Sequence, residues 1–330
     1  MPPNSKPIVF HYEGSIFSHR VLWYLWLRGI PYDECIQPAL LPRPALTQLG
    51  VHYRKVPILG LGNHIYCDSR FILSKLETLY PNSALAPPTP FDTGITNLFA
   101  SWTADGGVFA AAVKMIPYWH EQSFLQNEAF VDDREKLFGR RFTPDTMARE
   151  RPEGAQALLH AFELLERTFL ADGRDWVLGT GRPSLADLEA VWPVKWLVRE
   201  PTMTGSLPEE CFGKARFPRV YAWVDRFVEH VETARRNLGQ DVASLDGQAV
   251  AERTLPAEAP EDFVFEKGDP LGIEKGELVE VFPSDYGQMG RSVGQLVGLD
   301  TGEVVIRNQE RVYVHFPRWN FTVRKVAVEG

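Results

Sequence analysis

The sequence predicts a multidomain chain: an α/β unit, then an all-α bundle, then a small β unit. Three observations carry that reading. Hydrophobic spacing combines strand-like runs with helical stretches up to about residue 80, is helical from about 91 to 238, and changes to a period of two after about 277. Residues 81–90, PNSALAPPTP, are rich in proline and small side chains, the mark of a connection. Residues 239–262 are small, acidic and proline-containing, the mark of another. The expected units are 1–88, 89–240 and 263–330, with 241–262 as a linker.

In the first unit, residues 7–12 (PIVFHY) form an apolar run suited to a buried strand. Glu13 to Ser18 is a polar turn. His19 to Gly29 follows as a helix, with Val21, Leu22, Leu25 and Trp26 on one face and Gly29 as its C-cap. Residues 32–37 return as a strand. Lys55 to Leu61 supply a third, with a proline near its start, and His64 to Cys67 pair back after a turn at Asn63. Asp68 to Leu79 is a helix capped by Asp68 or Ser69. The order β-α-β, then β-β-α, is that of a thioredoxin-like domain.

In the second unit, Leu98, Trp102, Phe109 and Val113 approximate one helical face, with a kink expected at Gly106-Gly107. Residues 153–171, 184–199 and 218–237 continue the helical period. In the third, residues 277–282, 293–299, 303–307, 311–316 and 320–326 read as short strands, with Asp300-Thr301-Gly302 as a hairpin turn. Five short strands in about seventy residues suggest a small closed barrel of the Src-homology type.

Composition limits the function. A net charge of −8 over 330 residues argues against nucleic acid, whose phosphates call for a surplus of Lys and Arg. The three cysteines, Cys35, Cys67 and Cys211, are odd in number and far apart, which fits neither a disulfide scaffold nor a zinc site and favours a reducing compartment. No run of about 18 apolar residues occurs, so no membrane span is expected, and the start lacks the basic flank and apolar stretch of a secretory signal. A cytosolic chain without a metal site is the expectation.

The segment Gly14 to Val21, GSIFSHRV, follows a strand and opens a helix. It resembles the active-site turn of glutathione S-transferases of the serine and cysteine types, which place Ser or Cys before Pro-Phe. Ser15 takes the nucleophile-activating position, Phe17 matches the aromatic and Arg20-Val21 match the helix start, while Ile16 departs from the proline. Val56-Pro57 resembles the family's Val-Pro with a cis peptide bond, which presents the main chain of the valine to the glutathione backbone. Asp68-Ser69 resembles the family's acid-Ser pair, where the hydroxyl and the helix N-terminus hold the γ-glutamyl carboxylate and the acid takes the ammonium. Arg43-Pro44 lies where omega-like members carry Lys-Pro and is the candidate for the glycyl carboxylate. Ser184 to Asp187 resembles the Ser/Thr-x-x-Asp box of the superfamily, a structural helix cap.

The resemblance implies glutathione as the bound thiol, a small hydrophobic electrophile as second substrate, and a homodimer. Ser15 would donate a hydrogen bond to the sulfur and favour the thiolate. Tyr12 is a rival hydroxyl, because some classes use a tyrosine near the end of this strand. Trp102 and Phe109 are candidates for the electrophile pocket. Serine cannot form the mixed disulfide that thiol–disulfide exchange requires, so conjugation is favoured over exchange. Two other readings stay open: a glutathione-dependent isomerase or lyase, in which the thiolate adds and then leaves, and a non-catalytic binding module on the same fold.

Overall fold

The computed structural model describes residues 6–82, 84–85, 89–121, 123–238, 242–258 and 263–326. Positions 83 and 86–88 of the first connection, and 239–241 and 259–262 of the second, lie outside the described residues. The first unit is β1 (Ile8–His11), α1 (Ile16–Arg28), β2 (Asp33–Ile36), α2 (Pro44–Gln48), β3 (Ile58–Leu61), β4 (His64–Cys67) and α3 (Ser69–Leu79). Strand β1 pairs with β2 in parallel, Ile8 opposite Asp33, and with β3 antiparallel, Ile8 opposite Gly60. That is the thioredoxin-like arrangement expected from the sequence.

Both faces of this sheet are covered. Val9, Leu59 and Tyr66 pack towards α1, α3 and the bundle, while Ile8, Phe10, Ile58, Ile65 and Cys67 pack on the opposite side. The period of two along each strand sends alternate side chains to the two cores. The strands read as continuous apolar runs because neither face is wet.

The bundle is α4 (Pro90–Ala104), α5 (Val108–Val113), α6 (Glu128–Phe138), α7 (Pro144–Leu164) with a π-helical turn at Leu165–Phe169, α8 (Leu185–Arg199), α9 (Glu209–Phe212) and α10 (Pro218–Leu238). The expected kink at Gly106-Gly107 is instead a break between α4 and α5. Gly106 has a φ of 78°, and a Cβ at Gly107 would sit 1.8 Å from the carbonyl oxygen of Trp102, so only glycine lets the chain turn there. Trp102 and Phe109 therefore belong to different helices. The cap at α8 has the expected structural role. Ser184 Oγ donates to Asp187 Oδ2 at 2.7 Å, and Asp187 Oδ1 accepts from the Val177 amide at 2.8 Å and from Trp223 Nε1 at 3.0 Å. One fully buried carboxylate thus ties the start of α8 to a preceding loop and to α10.

Within the span read as a linker, α11 (Gly247–Thr254) forms behind an Asp246 cap. It packs its Val250 and Ala251 into the core beneath the first sheet, and Arg253 reaches Asp33 at 2.5 Å. The small, acidic composition hid a two-turn helix whose buried positions are too few to show a period.

The last unit is β5 (Leu278–Pro283), β6 (Ser292–Leu299), β7 (Glu303–Arg307), β8 (Tyr313–Pro317) and β9 (Phe321–Lys325). All five segments expected to be strands are strands, and Asp300 closes the β6–β7 turn by accepting from the Gly302 and Glu303 amides at 2.7 and 2.8 Å. They do not close into a barrel. Strand β9 returns to pair with β5, but β8 pairs in parallel with β4, His64 opposite Tyr313. The result is one open nine-stranded sheet, β2-β1-β3-β4-β8-β7-β6-β5-β9. Closure fails because β8 satisfies its free edge on β4, which would otherwise be the bare edge of the first sheet.

A buried polar chain lies along that β4–β8 seam. His64 Nδ1 is 2.7 Å from His315 Nε2, and His315 Nδ1 is 2.6 Å from Glu303 Oε1. Glu303 also pairs with Lys75. A carboxylate only accepts, so His315 donates from Nδ1, which leaves its Nε2 to accept from His64. Burial, reinforced by His315, lowers the His64 pKa to about 3. Burial also lowers that of His315, against the pull of Glu303.

Candidate functional site

A cavity of about 480 Å³ opens where the first sheet meets the bundle. Ser15, Phe17, Arg43, Val56, Pro57, Asp68, Ser69, Tyr12 and Phe109 all line it; Trp102 does not. Trp102 instead packs on Phe99 within α4, which reaches the cavity through Ala104 at its end, while α5 brings Phe109 and Val113.

Ser15 is the N-cap of α1. It is buried, its Oγ accepts from the Ser18 amide at 3.2 Å, and the first turn carries no acidic residue. The hydroxyl proton remains to be given, next to a helix end whose dipole favours negative charge. The Tyr12 hydroxyl accepts from Arg134 Nη2 at 3.3 Å. Phe17 sets the floor through rings 4.9 Å from Phe109 and 4.8 Å from Trp192.

The Val56–Pro57 bond is cis. Asp68 caps α3 with a φ of 74°, its carboxylate accepting from the Arg70 amide at 3.0 Å and ion-pairing with the Arg70 guanidinium at 3.2 Å. Burial works to raise the Asp68 pKa, but Arg70, then Lys55 and Arg20, outweigh it and hold the carboxyl below its usual range. Arg70 also grips Asp105 at 2.6 Å. Ser69 Oγ accepts from Arg20 Nη1 at 2.8 Å, and Arg20 is fully buried against Glu189. Burial, with Arg70 nearby, lowers the Arg20 pKa to about 9. The α3 end of the cavity therefore presents a carboxylate, a hydroxyl, a helix N-terminus and two guanidinium groups, a combination suited to an ammonium and a carboxylate on one carbon.

Arg43 lines the other end, but its Nε donates to the Pro38 carbonyl at 3.1 Å and its Nη1 to the Arg54 carbonyl. Those bonds shape the loop that carries Val56. Burial lowers its pKa to about 10. An apolar stretch of the wall is built by Val113, Ile116, Phe124, Phe130, Phe138 and Phe142 from α5, α6 and the segments beside them.

Sequence reasoning missed Arg70, Lys55, Arg134, Asp105, Asp285 and Tyr286, all of which line the cavity. Arg70 was open to detection, since it directly follows Asp68-Ser69. Asp285 and Tyr286 gave no signal, because Ser284-Asp285-Tyr286-Gly287 reads only as a turn between two strands.

Fold and site together define a thioredoxin-like unit joined to a helical bundle, with one cavity between a polar helix terminus and an aromatic wall. Residues 9–84 match the family model for the glutathione S-transferase N-terminal domain, and residues 111–236 match a domain of unknown function, DUF7962. The N-terminal domain belongs to the glutathione S-transferase superfamily, and the chain carries that superfamily's fold. A "Probable glutathione S-transferase" of Solanum tuberosum is 27% identical over 116 residues, 35% of this chain and 53% of that one. Glutathione S-transferase U3 of Arabidopsis thaliana is 34% identical over 90 residues, 27% of this chain and 40% of that one. The alignments thus span about half or less of these relatives. Among solved structures, a GST-like protein from Pseudomonas syringae superposes with a TM-score of 0.73 at 24% identity, over 98% of this chain and 100% of that one. The β-etherase LigF of Sphingobium superposes at 0.51 with 17% identity, over 70% and 99%. At such identities the two structures bear on the fold alone.

Proposed function

We propose that this chain is a glutathione transferase. It binds glutathione along Val56-Pro57 and Asp68-Ser69, and Ser15 holds the sulfur as a thiolate for attack on a small hydrophobic electrophile. The observation that carries the reading is the single cavity lined by Ser15, Val56, Asp68 and Ser69 at one side and by Phe109, Val113 and Phe138 at the other. A thiol and an apolar partner can meet there without crossing solvent. The sulfur lone pair forms the new S–C bond; the electron pair displaced leaves with a leaving group, or stays on an activated alkene and takes up a proton. Lowering the thiol pKa by about two units needs roughly 2.7 kcal/mol of differential stabilisation, within reach of a hydroxyl donor and a helix N-terminus acting together. Arg43 is the candidate for the glycyl carboxylate, through a donor that its backbone bonds leave over. A homodimer belongs to this reading by resemblance, and sedimentation mass tests it.

The test is a thermal shift with reduced glutathione. At a Kd of about 0.1 mM, ~10 mM ligand stabilises by roughly 2.7 kcal/mol. The wild type and Ser15→Ala should both shift, and Ser69→Ala should not. Ser15→Ala should lose the ultraviolet absorbance of the bound thiolate; if Tyr12→Phe loses it instead, the tyrosine is the activating group. Absence of any wild-type shift removes the enzyme reading and leaves the binding module. Turnover of an enone without consumption of glutathione makes the enzyme an isomerase.

A further inference from the structure

We propose that the C-terminal sheet supplies part of the ligand site: Tyr286 contacts the bound thiol, donating its phenolic hydrogen to the α-carboxylate at the γ-glutamyl end. The inference rests on the glutathione reading above and adds a residue from outside the two matched families, which end at 84 and 236.

The loop between β5 and β6, residues 284–291, leaves its own sheet and docks on the cavity rim. Lys55 Nζ pairs with Asp285 Oδ1 at 2.7 Å and stands 3.7 Å above the Tyr286 ring, while the Phe138 ring lies 4.7 Å from it. The Gly287 amide donates to the Leu137 carbonyl at 2.9 Å. Gly290 sits so close to the chain before the cis bond that a Cβ there would come 2.6 Å from the His52 carbonyl oxygen. The loop therefore bridges the Val56-Pro57 segment to α6, the two walls between which a ligand would enter.

Tyr286 lines the cavity itself, and among the described residues its hydroxyl has no hydrogen-bond partner. Burial, then the charges of Asp285 and Asp68, push its pKa up, so at neutral pH the phenol keeps its proton and has it to donate. Tyr286 shares the cavity with Asp68, Ser69, Arg70 and Asp105, and two residues before it the Ser284 amide donates to the Asn320 carbonyl at 2.8 Å, which ties its loop to the N-terminal end of α3. A second C-terminal turn supports that end: Trp319 Nε1 and Asn320 Nδ2 donate to Asp105 at 2.9 and 2.7 Å, and Asp105 holds Arg70. A donor without a partner, facing a cavity whose near wall already suits an amino-acid zwitterion, fits the carboxylate of that zwitterion.

The experiment compares wild type with Tyr286→Phe by calorimetric titration of two thiols. One is glutathione; the other is 4-aminobutanoyl-cysteinylglycine, the same tripeptide without the α-carboxylate. Tyr286→Phe should weaken glutathione about tenfold, as expected for a hydrogen bond to a charged group, and leave the decarboxylated analogue unchanged. Unliganded melting of the variant should match wild type, since the lost hydroxyl has no partner among the described residues. Equal affinity of variant and wild type for glutathione overturns the proposal, as does an equal weakening of both thiols. If wild type binds neither thiol, the glutathione reading itself fails and this inference falls with it.

Discussion

Two polar networks sit at opposite ends of strand β4, one at His64 where it begins and one at Asp68 just past its end, and they differ in what their donors face. At the seam, His64, His315, Glu303 and Lys75 form a directed chain whose bonds run inside the protein. At the cavity, Arg20, Ser69, Asp68, Arg70 and Asp105 are just as interlinked, but the network lines about 480 Å³ of open space. Two close-set histidines with shifted pKa values look like chemistry, yet neither lines the 480 Å³ cavity. Perturbed titration marks a site only where the group can also reach a ligand.

The comparison can be broken most forcefully at Arg20. Arg20→Ala leaves Glu189 buried without its partner and should cost about 3–5 kcal/mol in denaturant unfolding. Replacing both by methionine should restore most of that stability but not thiol binding. A double variant that still binds glutathione as wild type does would remove the cavity network from the site.

The seam is probed by pH. The folded-state pKa of His64 lies below the unfolded value near 6.5, so the unfolded chain binds more protons between those limits. The associated stability is present above pH 6.5 and is lost as pH falls towards about 3, by roughly 2 kcal/mol at pH 5. His64→Gln should flatten that part of a stability–pH curve without changing the thiol Kd at pH 7.

A smaller contrast separates lining from non-lining aromatics. Phe109→Ala should raise the electrophile KM severalfold, whereas Trp102→Ala should leave it unchanged. The smallest effect expected is at the β6–β7 turn, where Asp300→Ala removes two backbone contacts and should lower unfolding free energy by about 1 kcal/mol.

What the sequence revealed follows the same division. The Ser15 turn, the cis Val56-Pro57 bond and the Asp68 cap are set by neighbours in the chain, so short patterns exposed them, although α1 begins at Ile16, three residues before the expected His19. Each strand of the C-terminal unit was legible from its period of two. Their partners were not, because pairing His64 with Tyr313 depends on which free edge lies nearest in space. The expected barrel failed there, and Tyr286 went unnoticed for the same reason: its relation to Asp68 exists only after β8 docks on β4. Helix α11 was lost to composition, and Trp102 was misplaced by reading a glycine pair as a bend in one helix instead of the end of it.

The β4–β8 pairing also fixes a timetable. His64 and His315 are 251 residues apart, and a ribosome adds roughly 5–20 residues per second. During synthesis β4 therefore stays a bare strand edge for on the order of 10 to 50 s, the period in which chance pairing with another nascent chain is most hazardous. The final strands act as a plug delivered last, and a chain cut short before them would be prone to aggregate even with its first two units complete.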